Sequence, residues 1–331
     1  MAALINLDAY RNRHNMAYVG DVPWHGLGQQ LSPGQPIEVW VAEAGYTHSI
    51  LRSPVTYNVW DGSSLLKDGE SRSFPNRDVL FHSETGEPLG LVSNRYKVVQ
   101  PAEVLEFYRD LVDASGDFQL ETAGILDKGQ RYWALARYKE EISLGGDIVN
   151  PYLLLATSCD GTMATTAQLT SVRVVCNNTL QLSVSDKSAQ TIKVPHSTSF
   201  NEAAVKKELE VGGAIAAAQE EFEQLVDQYM DTRTAFDVFA ELTAKRDGDG
   251  NLTNEKEFKR ITQELFTSLH VAPGADRESA RNTAWGALNA VTHYGDHKAW
   301  AHSDNNRFKS AQLGTGAQLK ARAFQLIKEA A

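Results

Sequence analysis

Residues 151–184 read PYLLLATSCDGTMATTAQLTSVRVVCNNTLQLSV, and this stretch decides the fold. Two apolar runs rich in β-branched residues flank a turn at Cys159-Asp160-Gly161, and a third run follows Asn177-Asn178. Apolar runs of strand length between turn residues form a meander of paired strands. Only Asp160 and Arg173 are charged in the stretch, so the meander is expected to be buried. An unpaired guanidinium in such a run is destabilising, so Arg173 is expected to meet a carboxylate or a polar groove. Asp160 is the candidate partner.

Upstream of the meander the periodicity is that of strands. Leu51–Trp60, Arg77–Ser83 and Leu89–Val99 alternate or run apolar between Gly, Asp and Ser turns, and 81–94 reads as a hairpin. Residues 1–20 read as an arm or short helix. Ile37–Ala44 predicts a short helix. A second helix begins at Pro101, with Val104, Leu105, Tyr108, Leu111 and Val112 on one face. Phe118–Ile125 and Gln130–Tyr138 predict another hairpin across Asp127-Lys128-Gly129. From Asn201 the period becomes helical, first over Val205–Tyr229 with Gly212-Gly213 as a weak point inside it. Helices over Thr234–Ala244, Asn254–Leu269, within Arg277–Ala299 and over Lys320–Lys328 follow. The expected fold class is α+β, with an antiparallel meander core, a long following helix and a helical C-terminal region. The expected domains are a mixed core over 1–199 and a helical region over 200–331.

The chain has 331 residues with two cysteines, Cys159 and Cys176, which excludes a disulfide scaffold and suits a reducing cytoplasm. No apolar run reaches the roughly 18–20 residues of a membrane helix, and residues 1–20 lack the basic start and apolar core of a secretion signal. Net charge is −10 at pH 7, which argues against wholesale coating of nucleic acid. The charge is uneven. Residues 1–150 hold 13 basic and 20 acidic side chains, whereas 270–331 hold 8 and 5, so a local basic face remains open to the chain.

Several patterns carry chemistry. On the strand ending the second hairpin, Arg131, Trp133, Arg137 and Lys139 alternate and so share one face. Cations interleaved with an aromatic are what a surface that tracks phosphates and stacks bases needs. Arg95 and Lys97 flank Tyr96 at another strand end. His293, Asp296 and His297 place two imidazoles at i, i+4 with a carboxylate beside them, a weak zinc pattern without the general-base Glu of known motifs. Asp247-Gly-Asp249-Gly-Asn251 starts like a calcium loop, but Leu252 and Phe258 stand where Gly and Glu are needed. It reads as an interhelix turn. Trp24-His25, between Pro23 and Gly26, reads as a structural plug, and Cys176 as an inert buried thiol. No phosphate-binding Gly loop and no serine elbow occurs. No cofactor, metal or catalytic residue is expected, and the balance leans towards a binding or assembly protein.

Val22-Pro-Trp-His-Gly-Leu-Gly28, Val92–Val99, Ala123-Gly124, Asp160-Gly161, Val172–Leu180 and Ala287–His297 together resemble the phage/plasmid-like proteins grouped as a domain of unknown function, DUF932. That resemblance implies a mobile element in a bacterial cytoplasm and transfers no catalytic residues. The meander followed by a long helix is more distantly similar to phage single-strand annealing recombinases, which oligomerise and hold single-stranded DNA in a basic groove. The expected function is therefore single-stranded nucleic-acid binding or annealing in phage recombination or replication. Its expected site is Arg95, Lys97, Arg131, Trp133 and Arg173, its partner single-stranded DNA, and its state a homo-oligomer. The alternatives are a nonenzymatic phage–host interaction or assembly protein, and a metal-dependent enzyme using His293 and His297.

Overall fold

The computed structural model describes residues 7–8, 13–20, 28–59, 70–109, 116–173, 178–181, 191–201, 203, 205, 211–302 and 304–330. Its class is α+β, with strands leading and helices following. β1 (Leu7–Asp8) and β2 (Arg13–His14) pair with each other. β3 (Met16–Val19) and β4 (Gln29–Leu31) run parallel at one end of a large sheet. β5 (Ile50–Val59), β6 (Glu70–His82) and β7 (Pro88–Ser93) make a separate antiparallel sheet. β8 (Phe118–Leu126), β9 (Arg131–Tyr138), β10 (Ile142–Leu144), β11 (Asp147–Ser158), β12 (Thr165–Arg173), β13 (Asn178–Gln181) and β14 (Thr191–Val194) complete the large sheet. Its order is β13-β12-β11-β9-β8-β3-β4, with β10 beside β11 and β14 beside β12.

The meander forms as its sequence requires. β11 and β12 pair antiparallel from Val149 opposite Arg173 to Ala156 opposite Thr166. Leu153 and Leu155 enter the main core, while Leu154 and Ala156 enter a smaller cluster with Met16, Leu126 and Trp133. Burial on both faces explains why Leu153–Ala156 is a continuous apolar run instead of an alternating one.

Two short helices, α1 (Ile37–Glu43) and α2 (Pro101–Arg109), lie among the strands in the chain order. The Tyr108 hydroxyl of α2 donates to the β9 carbonyl of Ala134 at 2.7 Å. After the sheet come α3 (Val211–Asp227), α4 (Thr232–Thr243), α5 (Glu255–Val271), α6 (Ala284–His293), α7 (Asp304–Leu313) and α8 (Thr315–Ala330). Side chains cap three of them: Asp231, Asn254 and Thr283 accept from backbone amides of the first turn. α6 is buried from Ala284 to Thr292, as a helix apolar all round must be. A π-helical turn, Tyr294–Lys298, continues it.

Several expectations change. The arm or helix expected over residues 1–20 contains β3 instead, because Met16, Ala17 and Tyr18 are all buried against β8. β6 begins at Glu70, seven residues before the expected Arg77, because its outer half pairs with β5 even though it offers little apolar burial. α7 and β10 have no counterpart among the expected elements. Trp24, His25 and Cys176 lie outside the described residues.

Candidate functional site

Three segments distant in sequence meet at one end of β11. They are the turn Cys159–Ala164, the turn Asn94–Lys97 after β7, and Pro195-His196 after β14. The Tyr96 ring stacks on His196, centroids 4.3 Å apart and 15° from parallel. Its hydroxyl donates to the Ser158 carbonyl at 2.7 Å. His196 is buried, and its ring nitrogens stand 2.8 Å from the Lys97 carbonyl and 3.1 Å from that of Met163. Arg52 of β5 donates to the carbonyls of Asn94 and Tyr96. The turn residues are thereby pinned by backbone carbonyls, leaving their cationic side chains to solvent.

Within the other turn, the Asp160 carboxylate accepts from the Thr162 amide at 3.0 Å and from its hydroxyl at 2.6 Å. Burial works to raise the Asp160 carboxyl, but the Thr162 and Ser158 hydrogen bonds and the Arg131 charge together hold it below its ordinary value. Arg131 donates to the same Thr162 hydroxyl at 2.8 Å. Cys159 is buried, and burial together with the nearby Asp160 pushes its thiol up to about 12. That thiol is inert at neutral pH.

Beside this junction lies a groove of about 360 Å³, between the 162–166 turn and β14 on one side and the α7–α8 junction on the other. Thr162, Thr166, Thr191, Lys193, Gln168 and Gln318 give it a polar lining without a carboxylate. Met163 and Leu313 also line it and pack onto the cluster that holds Trp133.

The five expected site residues separate into three groups. Arg95 and Lys97 are exposed beside the junction, and among the described residues neither meets a carboxylate. The alternating face of β9 exists, since Tyr132, Ala134 and Ala136 point into the core, but it is not a phosphate track. Arg131 stands 3.3 Å from Asp127, Arg137 2.7 Å from Glu121 and Lys139 2.6 Å from Asp117. Each cation is matched by an acid of β8 or its flanks, so the face is nearly neutral. Trp133 is 7% exposed and cannot serve as a stacking platform. Arg173 pairs through its backbone with Val149 and Asn178 at the far end of β12. Eight residues of strand separate it from Thr165, roughly 26 Å, so its backbone lies at the opposite end of β12 from Asp160 and the junction.

Lys193, His196 and Arg52 are additions that the sequence patterns do not single out. A signal for Lys193 is present, since Thr191–Val194 alternates and puts Lys193 opposite the buried Ile192 in facing. Nothing in one sequence announces the His196 clasp, which needs three distant segments together.

The His293–Asp296–His297 pattern is not assembled as three ligands. The imidazoles are 4.9 Å apart, but Asp296 turns to the buried ammonium of Lys320 at 2.8 Å. Among the described residues no group of three or more His, Cys, Asp or Glu could hold a metal ion. Burial, then the neighbouring His297, lowers His293 to about 4. The unfolded chain binds this proton at higher pH than the folded one, so stability is present above about 6.5 and is lost as pH falls towards 4. A His293→Asn variant is expected to show a flatter urea midpoint over pH 6.5–4 than the parent. Equal slopes would remove His293 from the acid response.

The family model described as "Domain of unknown function (DUF932)" matches residues 88–313, from β7 through α7, and so takes in the junction and most of the groove. No curated protein and no solved structure matches the chain. No helix among the described residues is long and apolar enough to cross a membrane.

Proposed function

We propose that this chain, which belongs to the DUF932 family, binds single-stranded nucleic acid along the groove beside β14. The activity would be strand binding or annealing during recombination or replication of a phage or plasmid in the bacterial cytoplasm. One observation carries the reading: exposed Lys193 lines a groove that has hydroxyls and amides but no carboxylate in its lining, and exposed Arg95 and Lys97 belong to the turn at the adjoining junction. A phosphate backbone needs cations free of local acids. Arg131 takes a different role, holding the Thr162 turn that walls the groove. Trp133 supports the floor from below.

Anisotropy of a labelled oligonucleotide at low salt tests the proposal. Lys97→Ala with Lys193→Ala is expected to weaken binding roughly tenfold, similarly for all base sequences. The slope of log affinity against log salt should flatten by about 0.7 for each lysine–phosphate pair removed. Arg137→Ala, whose cation is already matched by Glu121, is expected to change nothing. A parent chain that fails to bind at low salt would remove this reading and leave the interaction protein in first place.

A further inference from the structure

Another cavity, of about 360 Å³, lies among the helices and shares no residue with the groove. Its walls are the link from α3 to α4, the last turn of α5 and the loop 272–283. That loop is tied down. Arg277 donates to the Gly146 carbonyl at 2.7 Å, and the Ser279 hydroxyl to the Asp147 carboxylate at 3.2 Å. The Met230 amide donates to the Asn282 carbonyl at 2.9 Å, and Asn282 holds a left-handed φ of 56°, which asparagine tolerates. The floor is apolar, with Met230 and Ala280 each 3% exposed and Leu269 beside them. Asp276, Arg281 and Asn282 line the open side and are exposed. The Arg281 guanidinium donates to the main-chain carbonyl of Asp276 at 3.0 Å. Among the described residues, however, neither that guanidinium nor the Asp276 carboxylate has an ion-pair partner, and the Asn282 side-chain amide has no hydrogen-bond partner.

We infer that this cavity binds a free α-amino acid with an aliphatic side chain. Opposite charges that line one cavity without pairing are matched by a ligand that carries both. The ligand ammonium goes to Asp276, and its carboxylate accepts from the remaining N–H groups of Arg281, a charge-assisted pair. The Asn282 amide and the Thr232 hydroxyl, which also lines the cavity, offer further hydrogen bonds to the charged head. The ligand side chain then rests on Met230, Leu269 and Ala280, where a polar group would lose water without gaining a partner. The His270 ring, set edge-on to Phe266 with centroids 5.0 Å apart, walls one side. The volume is near the low end for ligand pockets, which suits one small molecule. A phosphate would gain from Arg281 but meet the Asp276 carboxylate, so the charge pair selects against nucleic acid and for a zwitterion.

Calorimetric titration of the full chain with L-leucine tests this. One site per chain is expected, filling in the millimolar range or below. Glycine, which brings the charges without the side chain, should bind at least tenfold more weakly. N-acetyl-leucine lacks the ammonium and leucinamide lacks the carboxylate, and each should lose at least as much. Asp276→Asn and Arg281→Gln are each expected to weaken leucine binding at least tenfold. Both positions are exposed, so an unchanged urea midpoint is expected and separates lost binding from lost folding. A parent that takes up no leucine at tens of millimolar overturns the inference. So does binding indifferent to both substitutions, or N-acetyl-leucine or leucinamide binding as tightly as leucine. Oligonucleotide binding lost in Arg281→Gln also overturns it, and assigns the cavity to nucleic acid. Groove binding is measured separately through Lys97 and Lys193, so failure of one site does not decide the other.

Discussion

Asp296→Ala is expected to destabilise the protein by about 3–5 kcal/mol, because it removes the carboxylate that faces a buried ammonium. Lys320 is 1% exposed and donates to Asp296 at 2.8 Å, so the carboxylate is what makes its charge tolerable there. The π-helical turn supplies the geometry. It carries Asp296 inward and places Gly295 where the Lys320 stem passes, with side-chain carbons 3.9–4.0 Å from the position a Cβ would take. Burial lowers the Lys320 ammonium below its ordinary value, and Asp296 opposes that shift. With Asp296 gone the unfolded chain binds the lysine proton more readily than the folded one over a wide range below about 10.4. Stability then rises with pH, and the deficit of the variant should shrink between pH 7 and 9.5. Pairing Asp296→Ala with Lys320→Met should recover most of the loss, since an apolar replacement of a buried pair is often neutral. Urea unfolding of the two single variants and the double variant measures the coupling. A loss below about 1 kcal/mol in Asp296→Ala would mean that water reaches the pair.

Much of the scaffold is legible in the sequence because its signals are local. The Leu153–Ala156 run, the Asp127-Lys128-Gly129 hairpin and the amphipathic faces of α4 and α5 follow from spacing alone. Lys320 is a legible feature that the patterns above pass over. Ala317, Ala323, Phe324 and Ile327 are buried beside it at helical spacing, so a lysine stands on an apolar stripe. The candidate site is half legible. Its turn residues Arg95 and Lys97 stand out because they are cations beside an aromatic. The acids matching Arg131, Arg137 and Lys139 come from β8 and its flanks, and only the strand register reveals them. Arg173 departs from expectation for a related reason: proximity in sequence to Asp160 is distance in space once a straight strand separates them.

Gly90→Val is expected to cost at least about 2 kcal/mol and to impair oligonucleotide binding while the protein remains folded. A Cβ on Gly90 would lie 2.6 Å from the Cα of Asp160 and 2.6 Å from the carbonyl oxygen of Cys159. Both neighbours are backbone, so no side-chain rotation relieves the clash, and β7 must move off the β11–β12 turn. Here the outer sheet is seated on the large one. The same turn presents Thr162 and Met163 to the groove, and β7 leads directly into Arg95 and Lys97. Separating them spreads the cations that the proposed site requires together. Gly213→Ala is the opposing control. It sits inside α3 with nothing within 4 Å of a new Cβ, and alanine there should stabilise by about 0.5–1 kcal/mol with binding unchanged. If Gly90→Val bound as tightly as the parent under conditions where both are folded, the turn would be a structural join only, and the groove would not depend on it.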